Sequence, residues 1–145
     1  MTHWIFQGNP KIYQVLQAIR DFERLPWSAN QHKEEIFPGD GVLIWLSGQN
    51  AGIYAIAEVL EIPKKLELLP DIGYWIDSSQ LKEKPYCLIR FTTKMLQKPL
   101  LKTTLKEDPI LSSLSILKMA QWTNFLITPE QWRRVFEIKE SQREC

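Results

Sequence analysis

The sequence predicts an α+β fold: a curled, largely antiparallel β-barrel with peripheral helices. Three observations carry that prediction. Short apolar runs separated by turn residues span Val42 to Ile62 and return from Pro85 to Phe91, the pattern of antiparallel strands joined by tight turns. Helix signals are few, from Asn9 to Phe22, from Asp108 to Leu114 and after Thr128, so helices flank the sheet instead of alternating with its strands. A length of 145 residues suits one domain, which at this size buries roughly 70% of its unfolded surface. Residues 1–145 are read as that single domain, with a tail that frays from about residue 138.

The elements follow in order. His3 to Gln7 is a short strand closed by Gly8. Asn9 is the N-cap and Pro10 the first residue of a helix whose inward positions are Ile12, Val15, Leu16, Ile19 and Phe22. The run Trp27-Ser28-Ala29-Asn30-Gln31-His32-Lys33 reads as a polar loop that carries a tryptophan, a poor arrangement for a core and a good one for a pocket wall. Pro38-Gly39-Asp40-Gly41 turns into a strand from Val42 to Leu46. Ser47-Gly48-Gln49-Asn50 then turns into a second strand from Gly52 to Ile62, and the two pair as a hairpin.

Pro63 and Lys64-Lys65 break the sheet pattern, and an irregular excursion runs through Pro70-Asp71-Ile72-Gly73 to Tyr74-Trp75-Ile76. Long connections of this kind often carry binding residues. Pro85 to Phe91 returns as a strand, and Asp108-Pro109 caps a short helix through Leu114. Thr128-Pro129-Glu130-Gln131 forms a capping box for a last helix bearing Trp132, Val135 and Phe136.

Composition narrows the function. A net charge of +1 excludes the global basic field of a protein that grips duplex phosphates nonspecifically, so any nucleic-acid contact has to be local. The basic stretches at His32-Lys33, Lys94 to Lys102 and Arg133-Arg134 read as solvated faces. Cys87 in an apolar run and Cys145 at the end draw neither a disulfide framework nor a metal pair, which suits a reducing cytoplasm. The N-terminus lacks the pattern of a signal peptide, no apolar run is long enough to span a bilayer, and no motif calls for a cofactor.

The six tryptophans, at 4, 27, 45, 75, 122 and 132, are spread along the chain instead of forming one stripe. Trp4, Trp45 and Trp132 have apolar neighbours at strand or helix spacing and suit a core. Trp27 and Trp75 lie in stretches without clean periodicity, where stacking on a ligand competes with burial. Catalysis has little support: His32 has no second histidine nearby, no serine elbow and no paired cysteine, and reads as a hydrogen-bonded loop or pocket-rim residue. His3 and His32 lack ligand-spaced companions for a metal.

Five motifs in order extend across nearly the whole chain: Trp4-Ile5-Phe6-Gln7-Gly8-Asn9-Pro10, the Trp27 to Lys33 box, Pro38-Gly39-Asp40, Trp45-Leu46-Ser47-Gly48 with Ala51-Gly52-Ile53-Tyr54, and Thr123-Asn124-Phe125-Leu126-Ile127-Thr128. Together they resemble an EVE domain of the PUA-like superfamily, whose fold is similar to that of YTH domains, readers of N6-methyladenine in RNA. The resemblance implies a non-catalytic module that inserts a modified base of DNA or RNA, single-stranded or flipped out, into an aromatic pocket. It matches Trp27-Ser28 to the first cage tryptophan and its serine, Trp75 to the second, and Asn9 to a pocket asparagine. The candidate ligand-binding set is Trp27, Ser28, Trp75, Asn9, Asn30, Trp45, Ser47 and Gly48, with Asn9 weighed equally as a helix cap.

Two departures stand out: no residue from Tyr74 to Lys84 matches the third cage side chain, and Trp122 stands where EVE sequences commonly carry glycine. The resemblance also opens two alternatives. A modified-nucleoside hydrolase like those of the related ASCH branch would need Lys33 with Glu34 or Glu58 and Thr123, and a protein-interaction module would use the exposed aromatics.

Overall fold

In the computed structural model, which describes residues 1–79, 81 and 84–143, the strands are β1 (His3–Gly8), β2 (Arg24–Ser28), β3 (Gly41–Leu46), β4 (Gly52–Val59), β5 (Lys64–Lys65), β6 (Pro85–Lys94), β7 (Leu100–Leu101) and β8 (Asn124–Ile127). The α-helices are α1 (Val15–Asp21), α2 (Lys102–Leu105) and α3 (Pro129–Arg143). The strands make one eight-stranded sheet in the order β2-β6-β4-β3-β1-β8, with β5 added to β6 and β7 to β4. Every pairing is antiparallel except β1 with β3, which run parallel because α1 and β2 carry the chain back between them.

The β3–β4 pair is the expected hairpin, in register from Gly41 opposite Glu58 to Leu46 opposite Gly52, with a bulge between Ile44 and Trp45. All six residues of β3 are buried, because both faces of the sheet are covered there. One face gathers Trp4, Phe6, Val42, Ile44, Leu25 and Trp27 against Val15, Ala18 and Ile19 of α1. The other gathers Ile5, Leu43, Trp45, Ile53 and Phe125 against Leu105, Leu111, Leu114 and Val135. Alternation along a strand sorts successive side chains between the two cores. Burial pushes the Cys87 thiol, within the first core, up to about 12. Cys145 lies outside the described residues.

The sheet curls into a half-barrel that stays open between its edge strands, β2 and β8. Side chains span this gap where backbone pairing stops. The Asn124 Nδ2 group on β8 donates to the Ser28 carbonyl on β2 at 3.0 Å, and Asn124 Oδ1 accepts from Asn30 N and Gln31 N at 2.8 and 3.1 Å. Gln31 Oε1 returns the favour, accepting from Thr123 N and Asn124 N at 2.8 and 2.9 Å. Asn124 is fully buried, so these bonds form out of water, where a missing partner costs most.

Several elements differ from the sequence reading, β4 among them, which ends at Val59 instead of Ile62. The run through Trp27 and Ser28 is strand β2, not loop, in register from Arg24 opposite Arg90 to Ser28 opposite Tyr86. The first helix starts at Val15 instead of Pro10, and residues 9–13 form a turn that leaves Ile12 exposed. Lys64-Lys65 add a two-residue strand beside Tyr86 and Pro85. The Asp108 cap closes 3-10 turns instead of an α-helix, its Oδ2 accepting from Ile110 N and Leu111 N, both at 3.1 Å. The capping box forms as read: Thr128 Oγ1 accepts from Gln131 N at 3.0 Å and Gln131 Oε1 from Thr128 N at 2.9 Å. Behind it α3 runs to Arg143.

Candidate functional site

A cavity of about 260 Å³ opens at the gap between β2 and β8. Its size lies at the lower edge of the roughly 300–1,000 Å³ typical of small-molecule pockets, which suits a single heterocycle. The end of β1 supplies Gln7 and Gly8, the following turn Asn9, Ile12 and Tyr13, and β2 Pro26, Trp27 and Ser28. Asn30, Ser47, Trp75 and Lys84 close one part of the rim and residues 120–123 the other. Among the described residues Lys84 is the only charged residue of the lining, so their side chains leave the cavity otherwise uncharged.

Trp27 is placed by its strand and held at its polar edge, its Nε1 donating to the Gln7 carbonyl at 3.2 Å. It is only 4% exposed, so it serves core and cavity at once. Gly8 makes this possible. A side chain there would meet Val15 Cγ2 at 2.7 Å and the Trp27 ring at 3.1 Å, so the missing Cβ lets the indole lie against the end of β1.

Tyr13 joins the two predicted tryptophans. Its ring stands edge-on to Trp27 at 6.0 Å between centroids and lies tilted over Trp75 at 4.4 Å. Both arrangements are favoured by the ring quadrupoles. The turn carrying Tyr13 is laced to the Trp75 segment by Gln14 N to Tyr74 O at 2.8 Å and Ile76 N to Ile12 O at 2.8 Å. Trp27 and Trp75 therefore meet through Tyr13, and the wall they form is a three-ring cluster.

Behind that wall lies a buried polar pair. The Tyr13 hydroxyl donates to Asp71 Oδ2 at 2.6 Å, and Asp71 is 1% exposed. Burial is the first cause that raises the Asp71 carboxyl above its ordinary value, although the Tyr13 hydroxyl and the nearby Trp75 indole both favour the anion. Burial, then the carboxylate, hold the Tyr13 phenol far above its usual value, so this hydroxyl stays a donor.

A raised carboxyl means the folded state holds its proton at pH values where the unfolded chain has released it. Stability therefore falls as pH climbs from the ordinary carboxylate range through the folded value. Asp71→Asn keeps a carbonyl oxygen for Tyr13 but cannot ionise. Its stability across pH 4 to 7, followed by urea denaturation, is expected to lose that component of the pH slope, and an unchanged slope would show that Asp71 contributes none of it.

The structure brings six of the eight predicted residues to the cavity: Asn9, Trp27, Ser28, Asn30, Ser47 and Trp75. Trp45 and Gly48 are not in the lining. Trp45 is 3% exposed within the second core, because alternation along β3 turns it to the face opposite Ile44 and Leu46. Gly48 occupies its turn with φ +85°, a conformation that suits glycine, and stands near Pro10. Asn9 caps a turn, its Oδ1 accepting from Lys11 N at 3.0 Å. Asn30 Nδ2 donates to Thr123 Oγ1 at 2.9 Å, tying the two rims together.

Sequence reading missed Gln7 and Tyr13 and left Trp122 unassigned. Trp122 lines the cavity and is 36% exposed, with its ring edge-on to His32 at 6.2 Å. His32 itself lies outside the lining, between Trp4 and Trp122, with Nδ1 3.2 Å from Glu35 Oε1. Two signals were available: Gln7 is a polar residue ending a strand that is otherwise buried, and Tyr13 is an aromatic beside a proline-led turn.

The residues weighed for hydrolysis are dispersed. Thr123 is at the cavity, Lys33 and Glu34 line a separate groove with Phe37 and Ile62, and Glu58 accepts from Arg90 Nε at 2.8 Å. Among the described residues no cluster of three or more His, Cys, Asp or Glu side chains has the spacing to hold a metal ion. No described helix is long and apolar enough to cross a membrane.

A sequence profile of the EVE domain matches residues 2–138. The chain belongs to the EVE domain family. Solved structures of similar fold span nearly its whole length. A hypothetical protein from Leishmania major superposes with a TM-score of 0.75 at 14% identity, covering 99% of this chain and 97% of its own. The human THYN1 protein, solved in complex with 5-methylcytosine-containing DNA, gives 0.70 at 11% identity over 97% and 98% of the two chains. The YTH domain of Zygosaccharomyces rouxii MRB1, solved in complex with N6-methyladenosine RNA, gives 0.57 at 11% identity over 94% and 86%. These likenesses show that the curled mixed sheet with peripheral helices is a fold shared over nearly the whole of each chain. No curated protein sequence matches significantly.

Proposed function

We propose that this EVE domain is a non-catalytic module that takes one modified base of DNA or RNA, single-stranded or flipped out of a duplex, into the cavity between β2 and β8. The observation that carries the reading is the lining: a base-sized cavity with Trp27, Tyr13, Trp75 and Trp122 around it and, among the described residues, one charged side chain, Lys84. An otherwise uncharged lining accepts an uncharged heterocycle, and Lys84 supplies a local partner for the phosphate beside it. Stacking on such rings is worth about 1–3 kcal/mol per base and barely distinguishes one base from another. Choice among bases therefore falls to the polar rim, where Ser28, Asn9, Asn30 and Ser47 stand.

The two relatives solved with nucleic acid support the class of ligand and leave its identity open, since one holds 5-methylcytosine DNA and the other N6-methyladenosine RNA. On this reading the module needs no cofactor, works in the cytoplasm, and engages no membrane. The test is titration of short single-stranded DNA and RNA carrying a panel of modified bases, with unmodified controls and Trp75→Ala in parallel. Modification-selective binding that weakens roughly tenfold or more in Trp75→Ala is the expected result. Absence of binding across the panel, or binding indifferent to both modification and Trp75, refutes the proposal.

A further inference from the structure

Four buried side-chain atoms have no hydrogen-bond partner among the described residues: His3 Nδ1, Gln7 Oε1, Asp71 Oδ1 and Trp75 Nε1. Two of these, Asp71 Oδ1 and Trp75 Nε1, have an account in the fold, and His3 lies away from the cavity. His3 stacks against Trp132 at 4.6 Å, and neither residue is in the cavity lining. Asp71 and Trp75 are mutual neighbours, the indole lying near the carboxylate without a regular hydrogen bond. Gln7 Oε1 has no such neighbour, and Gln7 lines the cavity.

The orientation of the Gln7 amide is fixed. Its Nε2 donates to the carbonyls of Ala120 and Trp122, at 2.8 and 2.5 Å, and both residues belong to the same lining. Carbonyl oxygens only accept, so a flipped amide would set oxygen against oxygen and lose both bonds. The backbone on either side of the side chain is tied down as well, Gln7 N donating to Thr123 O at 2.7 Å and Gln7 O accepting from Trp27 Nε1. Oε1 is thus a buried acceptor that cannot turn into a donor, and a buried acceptor without a partner is costly until a ligand supplies one.

Resting on the base-binding reading, we propose that Gln7 is a specificity-determining residue whose Oε1 accepts an N–H from the edge of the bound base, selecting bases that carry an N–H there. The exocyclic amine of adenine or cytosine keeps one N–H after a single methylation and still meets this requirement. A base whose amine is replaced by an ether oxygen places a second acceptor against Oε1. Rejection of the wrong group by a fixed, buried polar atom is a stronger filter than a difference in apolar contact. Gln7 also positions the wall, because its two donated bonds hold the segment that carries Trp122.

The experiment uses oligonucleotides in matched pairs: N6-methyladenine against 6-methoxypurine, which has the same outline with oxygen in place of N–H, and N4,5-dimethylcytosine against O4-methylthymine, which differ in the same way. Each pair is titrated against the wild-type chain and Gln7→Leu. The wild type is expected to prefer the amine-bearing member of whichever pair it binds by roughly tenfold or more. Gln7→Leu is expected to bind both members alike. That wild-type comparison needs no variant to fold. A purely structural role for Gln7 would weaken both members equally and keep their ratio, which overturns the proposal. Base binding by the wild type with no preference within a pair also overturns it, leaving the base-binding reading intact. No binding of any modified oligonucleotide removes that reading, and this inference with it.

Discussion

Replacing Trp27 by alanine is expected to abolish base binding and to destabilise the fold, and replacing it by phenylalanine to separate the two effects. Trp27 is 4% exposed, packs in the first core and lines the cavity, so Trp27→Ala opens a void in both. Phe or Trp to Ala in a core costs about 3–5 kcal/mol, a large part of the roughly 5–15 kcal/mol that holds a domain together. Phenylalanine keeps a ring between Tyr13 and Gly8 but removes the Nε1 donor, leaving the Gln7 carbonyl without the bond it accepts at 3.2 Å. Trp27→Phe is therefore expected to stay folded at 25 °C and to bind several-fold more weakly, through lost stacking area and a loosened Gln7. Thermal unfolding and titration of the same preparations check both statements. Wild-type affinity in Trp27→Phe would show that the indole is needed for packing alone.

The half-barrel explains why the cavity lies where it does. A closed barrel would pair β2 with β8 and fill the space between them with backbone. Here the two edges are held by Asn124, Gln31 and Asn30, whose side-chain bonds fix a separation that backbone pairing would erase. The site is thus at an unpaired seam of the sheet, lined by β2 on one side and, on the other, by the end of β1, which pairs with β8, and the 120–123 segment that leads into β8. Edge strands must be protected from pairing with other chains, and a buried asparagine crossing the seam does that as well.

What the sequence made legible follows from local chemistry. The β3–β4 hairpin and the Thr128–Gln131 capping box rest on turn residues and reciprocal side-chain bonds within a few positions, and both formed as read. Strand β2 was hidden because Pro26 sits inside it, a residue that argues against a central strand but is admitted at an edge, which is where β2 lies. The helix reading overran by its first turn because Asn9-Pro10 is a helix start by its residues, whereas Tyr13 is drawn to Trp75 across 62 positions of chain by a bridge and a ring contact. Trp45 was drawn into the candidate set by its motif, and the strand's alternation decided otherwise. Gln7 and Trp122 came together only through tertiary bonds, which no spacing in the sequence encodes.

The second large effect is expected at Asp40, which is not in the cavity lining. Asp40 is 4% exposed and accepts three hydrogen bonds: from Thr2 N at 3.1 Å on Oδ1, and from Trp4 Nε1 and Phe37 N, both at 3.0 Å, on Oδ2. Its backbone adds a fourth tie, accepting from Val59 N at 2.9 Å. Asp40 therefore pins the start of β1 and the turn before β3 through its carboxylate, and the end of β4 through its backbone carbonyl. Asp40→Ala leaves the Trp4 indole N–H, on a fully buried residue, without its acceptor, and losing three bonds to a carboxylate, each worth about 1.5–3 kcal/mol and not additive, costs about 3–5 kcal/mol in all. At roughly 2–4 °C of melting temperature per kcal/mol for a domain of this size or slightly larger, the midpoint should drop by about 6–20 °C. Asp40→Asn, which keeps one acceptor oxygen and turns the other into a donor facing donors, should fall between alanine and wild type. Trp4 touches His32 at 5.3 Å and His32 touches Trp122 at 6.2 Å, so a shift of the Trp4 ring reaches the cavity wall through packed rings. Binding measured well below the midpoint is expected to weaken modestly in Asp40→Asn while the preference among bases is unchanged, because none of the atoms that read the base has moved charge or partner. An Asp40→Ala midpoint within a degree or two of wild type would show that the three bonds are replaceable by water and that the turn holds itself.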